Sequence, residues 1–234
     1  MKIHHVNDSK AGAQLTATLF AEASRAATDR PVGLATGATM TEVYTALAQQ
    51  GFAPEFGNAF ALDEYAEIAA DHRNSYDREL REKFSYPLGW LGTLHVPGQG
   101  RYGQPGGEEL FEQSLLNLGP LSVQLLGLGV NGHIAFNEPG AAFNSRTRRV
   151  ELHPETVASN SVFFNDPTLM PTHAVSQGLG TIAQAISLLV LVLGPSKHPA
   201  LSKALDHPDA STPLVTALSE FPRSCSSKFP RSRG

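Results

Sequence analysis

Apolar and polar residues follow two different periods along this chain. Short apolar runs, which are typical of buried strands, alternate with longer stretches whose apolar residues lie three or four positions apart, as in amphipathic helices. The apolar runs predict strands at residues 31–35, 58–62, 122–127 and 186–193. The helical spacing predicts helices at residues 41–50, 74–84, 107–117, 181–186 and 199–205. The run at 186–193 does not alternate with polar residues, which predicts a strand covered on both faces.

Strands that alternate with helices predict an α/β fold, a doubly wound and mainly parallel sheet with helices on both faces. Such sheets bind their ligands at the carboxyl ends of the strands. Four segments rich in glycine or polar residues follow the predicted strands: Thr36–Thr39, Asp63, Asn131–Glu138 and Gly194–Lys197. We therefore expect these segments to form one site.

The two ends of the chain differ in composition. We expect residues 1–222 to form a single α/β catalytic domain. Residues 223–234 are rich in Ser, Pro and Arg, lack apolar periodicity and predict a basic, disordered tail. This segment has a net charge of +4. Because the whole chain has a net charge of −4, the first 222 residues have a net charge of −8. An acidic body argues against nucleic-acid binding, although a basic recognition arm is an alternative interpretation of the tail.

Composition narrows the class of protein further. A chain with 41% hydrophobic and 17% charged residues is typical of a soluble globular protein. Its longest apolar run, residues 186–193, is far shorter than the roughly 20 residues that span a bilayer. The N-terminus shows no secretory signal, and a single cysteine, Cys225, rules out a disulfide framework. We expect a cytoplasmic protein without a metal site, since no two His or acidic residues have ligand spacing on one helix face.

The turn at Thr36–Thr39 has features of an anion site. It lies between a predicted strand and a predicted helix, where free N–H groups and threonine hydroxyls suit a phosphate. It has neither the lysine of a Walker loop nor the third glycine of a dinucleotide fingerprint. Lys197 follows another strand and could neutralise the same phosphate. The alternatives are an ordinary turn that needs Gly37 for its conformation and one more exposed lysine.

Two further segments carry groups that could move protons. Asp63 and Glu64 are adjacent at a strand end and point to opposite faces, so one could transfer protons while the other supports a loop or caps a helix. In the glycine-rich segment 127–140, His133 titrates near neutrality, and Glu138 could accept from its imidazole and fix the tautomer. Asn131 lies beside them. The alternatives are a turn-forming Asp63 and a surface His133.

Five segments in their order and spacing resemble the glucosamine-6-phosphate deaminase (isomerase) family, in its short form. They are GLATGATM, ALDEY, GLGVNGHIAFNEPG, SRTRRVEL and GLGTIAQA…LVLGPSK, spread over residues 30–215. The resemblance implies a Rossmann-like fold shared with sugar-phosphate isomerases and 6-phosphogluconolactonases. It implies conversion of D-glucosamine 6-phosphate and water into D-fructose 6-phosphate and ammonia, without metal or organic cofactor. The expected partner is the small-molecule hexosamine phosphate, with no nucleic acid or membrane, and the chain is expected to be a monomer or small homo-oligomer.

The resemblance also implies roles for nine residues. Asp63 would move a proton from C2 to C1 of the sugar, and His133 would open the sugar ring with help from Asn131 and Glu138. The residues expected to hold the 6-phosphate are Thr36, Gly37, Ala38, Thr39 and Lys197.

One departure from the family concerns the phosphate. Val162 stands where the family commonly has an arginine, and Arg146 or Arg148 is a candidate to replace its charge. Two alternatives to the deaminase stay open from the sequence: a 6-phosphogluconolactonase-like hydrolase, and a non-catalytic sugar-phosphate-binding module on the same fold.

Overall fold

The computed structural model describes residues 2–164 and 166–206, which form an α/β structure. In chain order its strands are β1 (Val32–Leu34), β2 (Asn58–Ala61), β3 (Asp63–Tyr65), β4 (Thr93–His95), β5 (Gln124–Gly127), β6 (Arg148–Glu151), β7 (His173–Ser176) and β8 (Leu188–Leu191). Its helices are α1 (Ser9–Arg25), α2 (Ala38–Gln49), α3 (Tyr76–Leu80), α4 (Gly107–Leu118), α5 (Pro154–Ser161), α6 (Leu179–Ile182) and α7 (His198–Asp206).

The central sheet has five parallel strands in the order β4-β2-β1-β5-β8. Successive side chains of a strand point to opposite faces, and β2 shows this clearly. Ala59 belongs to the larger apolar core, to which α1 and α2 contribute. Phe60 instead packs against Phe111 of α4, with ring centroids 5.4 Å apart. The expected doubly wound, mainly parallel sheet is confirmed.

A second sheet, which the sequence analysis did not predict, lies beside the carboxyl end of β2. It consists of three antiparallel strands in the order β3-β7-β6. Only Leu62 separates β2 from β3, so the chain passes directly from one sheet into the other. The short length of β3 and the mixed polarity of β6 gave no period-two pattern strong enough to predict strands.

Several predicted elements differ in detail. Helix α2 begins three residues earlier than expected, and the predicted helix at 74–84 is α3 followed by a π-helical turn at Arg81–Ser85. Helix α6 ends at Ile182, whereas the predicted helix extended to residue 186. In the described part of the chain β8 is an edge strand and is mostly half-buried, and the expectation that it is covered on both faces stays a prediction. No element had been predicted where α1 forms.

The basic tail predicted at residues 223–234 lies outside the described residues. The expectation of a single domain over residues 1–222 therefore stays a prediction. Within the described part, α7 ends at Asp206.

Candidate active site

A cavity of about 280 Å³ opens at the carboxyl edge of the central sheet. Seven of the nine predicted site residues line it: Thr36, Gly37, Ala38, Thr39, Asp63, His133 and Lys197. These residues come from the ends of four different strands or from the turns that follow them. The parallel sheet thus brings together side chains that are far apart in the sequence, as expected for an α/β fold.

The turn before α2 is built around Gly37, whose φ of 100° favours glycine. Its carbonyl oxygen accepts from the N–H groups of Met40 and Thr41 and so begins the helix. No protein group in the described part of the chain accepts from the N–H groups of Ala38 and Thr39. These two amides are available to an anion in the cavity.

The amide of Gly37 itself is not available. It donates to Oε1 of Glu79 at 2.8 Å, so a carboxylate from α3 already occupies this donor. The N–H of Gly37 therefore has a protein acceptor, and the expectation that Gly37 helps to hold the phosphate stays a prediction. Gly37 still shapes the turn that presents the next two amides.

Lys197 is a cationic residue that lines the cavity. It lies in a 3-10 turn, Pro195–Lys197, directly after β8, and its side chain faces the same cavity as the turn at Thr36–Thr39. Partial burial lowers the pKa of Lys197. This arrangement suits neutralisation of a bound phosphate.

Asp63 is the buried acid of the cavity. It begins β3, and only 7% of its surface is exposed. Burial, with further contributions from the charges of Glu64 and Glu79, raises the pKa of Asp63 to about 8. A carboxyl group with a pKa close to neutrality is suited to both accepting and donating a proton.

Glu64 has a different role from its neighbour. It is fully buried, and Oε2 accepts from the Ser75 hydroxyl at 2.7 Å and from the N–H of Asp77 at 3.0 Å. Its other oxygen accepts from the N–H of Tyr65. Glu64 therefore holds the start of α3, the supporting role that the sequence analysis offered for one of the two carboxylates.

The loop that carries His133 has a local reason for its glycines. A Cβ atom at position 129 would lie 2.4 Å from the imidazole ring of His133. Any residue other than glycine at position 129 would therefore clash with the ring in its present position. The N–H of Gly129 also donates to the carbonyl of His133 at 2.8 Å. Burial lowers the pKa of His133, with Lys197 acting in the same direction and Glu138 opposing it. The imidazole is therefore neutral at neutral pH.

Asn131 and Glu138 stand behind His133 and do not line the cavity. Nδ2 of Asn131 donates to Oε2 of Glu138 at 2.7 Å, and Oδ1 of Asn131 accepts from the N–H of His133 at 3.1 Å. Nδ1 of His133 is 4.0 Å from Oε1 of Glu138, too far for a hydrogen bond. The predicted direct bond between imidazole and carboxylate is thus absent here, and Asn131 connects the two.

The lining residues that the sequence analysis did not name as site residues include Tyr76, Phe136, Thr156 and Asn160. Thr156 donates to Oε1 of Glu138 at 3.2 Å, and Nδ2 of Asn160 donates to the Tyr65 hydroxyl at 3.0 Å. Thr156 and Asn160 lie four positions apart on α5 and so share one helix face. That spacing was the only sequence signal, and it is too common to mark a site.

The arginines considered as substitutes for Val162 do not line the cavity. Arg146 pairs with Glu112, and Arg148 donates to Oδ1 of Asn137 at 2.9 Å. Val162 is 72% exposed, just beyond the end of α5. Neither Arg146 nor Arg148 therefore replaces the family's arginine at the lining of this cavity.

Two kinds of feature are absent from the described residues. No cluster of three or more His, Cys, Asp or Glu residues among them could hold a metal ion. Within the same residues, none of the helices combines the length and the apolar character needed to cross a membrane.

Comparison with known proteins gives consistent results. Residues 7–222 match the family described as glucosamine-6-phosphate isomerases/6-phosphogluconolactonase. A glucosamine-6-phosphate deaminase of Corynebacterium aurimucosum is 38% identical over 206 residues, which cover 86% of this chain and 81% of that protein. The structure of a monomeric glucosamine-6-phosphate deaminase superposes with a TM-score of 0.84 at 30% identity, covering 93% and 92% of the two chains. A 6-phosphogluconolactonase from Shewanella baltica shares the fold, with a TM-score of 0.69 at 19% identity over 91% and 90%.

Proposed function

The chain belongs to the family of glucosamine-6-phosphate isomerases and 6-phosphogluconolactonases, and from this premise we propose that it is a glucosamine-6-phosphate deaminase. The reaction converts D-glucosamine 6-phosphate and water into D-fructose 6-phosphate and ammonia. The relatives named as deaminases reach 38% identity, and the deaminase structure reaches 30%. The lactonase structure, at 19%, supports the shared fold alone.

One structural observation supports the proposal in addition to the similarity to known deaminases. Asp63 and His133 line the same cavity as the turn at Thr36–Thr39 and Lys197. An isomerisation of a phosphorylated sugar needs an acid–base group at the carbon chain, a second one at the ring oxygen, and a fixed phosphate. The cavity contains a candidate for each of these functions.

Ring opening falls to His133. A neutral imidazole can take the proton of the anomeric hydroxyl and deliver a proton to the ring oxygen, which breaks the bond between C1 and that oxygen. Burial lowers the pKa of His133 and keeps the ring neutral for this purpose. Asn131 accepts from the main-chain N–H of His133 and donates to Glu138, so both act as positioning residues.

Isomerisation falls to Asp63. As a carboxylate it removes the proton from C2, and as a carboxylic acid it returns a proton to C1, so that one group serves twice. Its pKa of about 8 makes it a stronger base than an ordinary carboxylate. The ammonium group of the bound aminosugar, next to C2, favours the ionised form of Asp63 at neutral pH.

Release of ammonia completes the reaction. The enolamine that forms after removal of the C2 proton becomes a ketimine when C1 is protonated. Water adds to C2, the C–N bond breaks, and ammonia leaves while the oxygen stays as the ketone of fructose 6-phosphate. These steps are proton transfers and a water addition, which carboxyl and imidazole groups can support.

Phosphate binding would fix the position of the carbon chain. The free N–H groups of Ala38 and Thr39, the hydroxyls of Thr36 and Thr39, and the Lys197 ammonium suit a phosphate at one end of the cavity. Holding the 6-phosphate there places C1 and C2 at a constant distance from Asp63, and such positioning is a large part of catalysis.

A pair of assays tests the proposal directly. We expect the protein to release ammonia from D-glucosamine 6-phosphate and to leave 6-phosphogluconolactone unhydrolysed above the spontaneous rate. Lactone hydrolysis without ammonia release would instead indicate the lactonase alternative. Binding of glucosamine 6-phosphate without turnover of either compound would indicate a non-catalytic sugar-phosphate-binding module.

We further propose that the protein acts in amino-sugar catabolism in the cytoplasm, as a monomer or a small homo-oligomer. The structurally similar deaminase is described as monomeric, which supports the lower end of this range. Light scattering of the purified protein, with and without glucosamine 6-phosphate, would measure its assembly state.

A further inference from the structure

Glu79 places a carboxylate against the turn proposed to bind phosphate. Its main chain belongs to α3, and Oε1 accepts from the N–H of Gly37 at 2.8 Å. The next two amides of this turn, those of Ala38 and Thr39, point to the cavity without a protein acceptor in the described residues. An acidic side chain therefore lies beside the donors that suit an anionic ligand.

The charge of Glu79 acts on the groups around it. After burial, it is one of the causes that raise the pKa of Asp63 of β3 and of Tyr44 of α2. Lys83, one helical turn further on, is a cation near Glu79. Burial raises the pKa of Glu79, while the bond from Gly37 and the charge of Lys83 oppose this. A dianionic phosphate at the turn would meet a nearby like charge, which disfavours binding.

We propose that Glu79 is a positioning residue, which anchors the turn through Gly37 and limits the affinity of the neighbouring amides for phosphate. This rests on the proposed function in one respect, that the cavity binds a sugar phosphate. Substrate, transition state and product carry the same phosphate, so tighter phosphate binding lowers KM without raising kcat. A restrained affinity therefore costs the enzyme little in turnover.

The variant Glu79→Gln separates the two roles of this side chain. Glutamine keeps an oxygen that can accept from Gly37, so the turn stays anchored, but it removes the charge. Glu82→Gln is a matched control, because Glu82 lies on the same helical stretch and pairs with Arg78 on the exposed surface. Both variants remove one negative charge from the protein.

Two measurements are needed, one without turnover. With inorganic phosphate as the probe in calorimetry at pH 8, Glu79→Gln should lower Kd by at least about 5-fold relative to wild type, since a like charge nearby has been removed. The KM for glucosamine 6-phosphate should fall in parallel, with kcat within about 3-fold. Glu82→Gln should leave Kd unchanged.

The pH profile gives a readout that a purely structural role would not move. Burial and the charge of Glu64 raise the pKa of Asp63, and the charge of Glu79 adds to this. Removal of the Glu79 charge should therefore shift the acid limb of kcat/KM to lower pH. Equal phosphate affinity in Glu79→Gln and wild type, with an unshifted profile, would overturn the inference while leaving the deaminase proposal intact. A wild-type protein that binds neither inorganic phosphate nor glucosamine 6-phosphate would overturn both.

Discussion

The side-chain amide of Asn137, in the loop of His133, donates to the main-chain oxygen of Gln177 at 2.8 Å. Gln177 directly follows β7, the strand that pairs with β3, in which Asp63 lies. The same amide donates to the carbonyl of Ile134 at 3.1 Å, and Gln177 in turn donates from its N–H to Leu62, the residue before Asp63. These hydrogen bonds thus join the chain segments next to His133 and Asp63, the two proposed catalytic residues.

Replacing Asn137 should loosen this connection. Asn137→Ala removes the side-chain donor to the carbonyls of Ile134 and Gln177 and the Oδ1 atom that accepts from Arg148, which we expect to cost about 1–3 kcal/mol of unfolding free energy. Turnover should fall as well, because His133 and Asp63 lose their fixed relation. Urea unfolding and ammonia release measure the two effects. Asn144→Ala, an exposed position in the same region, is the control, and equal stability of the two variants would contradict the assignment.

The network also shows what the sequence could not predict. The loop of residues 127–140 was identified because Asn131, His133 and Glu138 lie close together in the chain. The contact of Glu79 with Gly37 joins positions 42 residues apart, and nothing in an amphipathic helical stretch marks one glutamate as different from its neighbours. Such contacts depend on how α3 is placed, which local pattern does not determine.

The fold likewise contains strands that the sequence predicts and strands that it does not predict. The parallel strands β1, β2 and β5 were predictable because each is a buried apolar run followed by a turn. The strand β3 was not predictable, because the polar residues at Asp63–Tyr65 resemble the end of the preceding strand. Its three residues also pair with β7, which lies far away in the sequence. The acid of the candidate site could be named from the sequence, but the antiparallel sheet that positions it could not.

The raised pKa of Asp63 predicts that the free energy of unfolding depends on pH. The pKa is about 8 in the folded protein, against about 3.9 for an unperturbed Asp, so the folded form binds its proton more tightly. The stabilisation from the bound proton is complete below about pH 4 and is lost as the pH rises towards 8. Asp63→Asn has no carboxyl group at this position, so its stability does not decline with pH for this reason. Its stability relative to wild type should therefore increase from pH 5 to pH 8.5 in urea unfolding, and a constant difference would contradict the raised pKa.

His133 should matter mainly for ring opening. We expect His133→Gln to lose at least about 100-fold in turnover of glucosamine 6-phosphate, as is usual for removal of a general acid–base group. An analogue that lacks the ring-closing 5-hydroxyl cannot form the pyranose, so the variant should lose much less with it. Ammonia release from both compounds measures the ratio. Equal losses would assign His133 to another step, and the exposed His5→Gln serves as control.

Lys197 should act on binding more than on chemistry. Removing a charged partner of the phosphate should cost about 1.5–3 kcal/mol, or a rise of roughly 10- to 150-fold in KM for Lys197→Met. Glucosamine without the phosphate should be turned over equally slowly by variant and wild type. Lys203→Met removes an exposed charge from α7 and should leave KM unchanged. A normal KM in Lys197→Met would place the phosphate elsewhere in the cavity.

The central claim is that Asp63 transfers the proton between C2 and C1 of a bound aminosugar phosphate. The most direct measurement is the rate of ammonia release from saturating D-glucosamine 6-phosphate by wild type and by Asp63→Asn, with the exposed Asp71→Asn as control. The account predicts ammonia from wild type and Asp71→Asn, and a loss of at least about 100-fold in Asp63→Asn with substrate binding retained. Undiminished ammonia release by Asp63→Asn would contradict it.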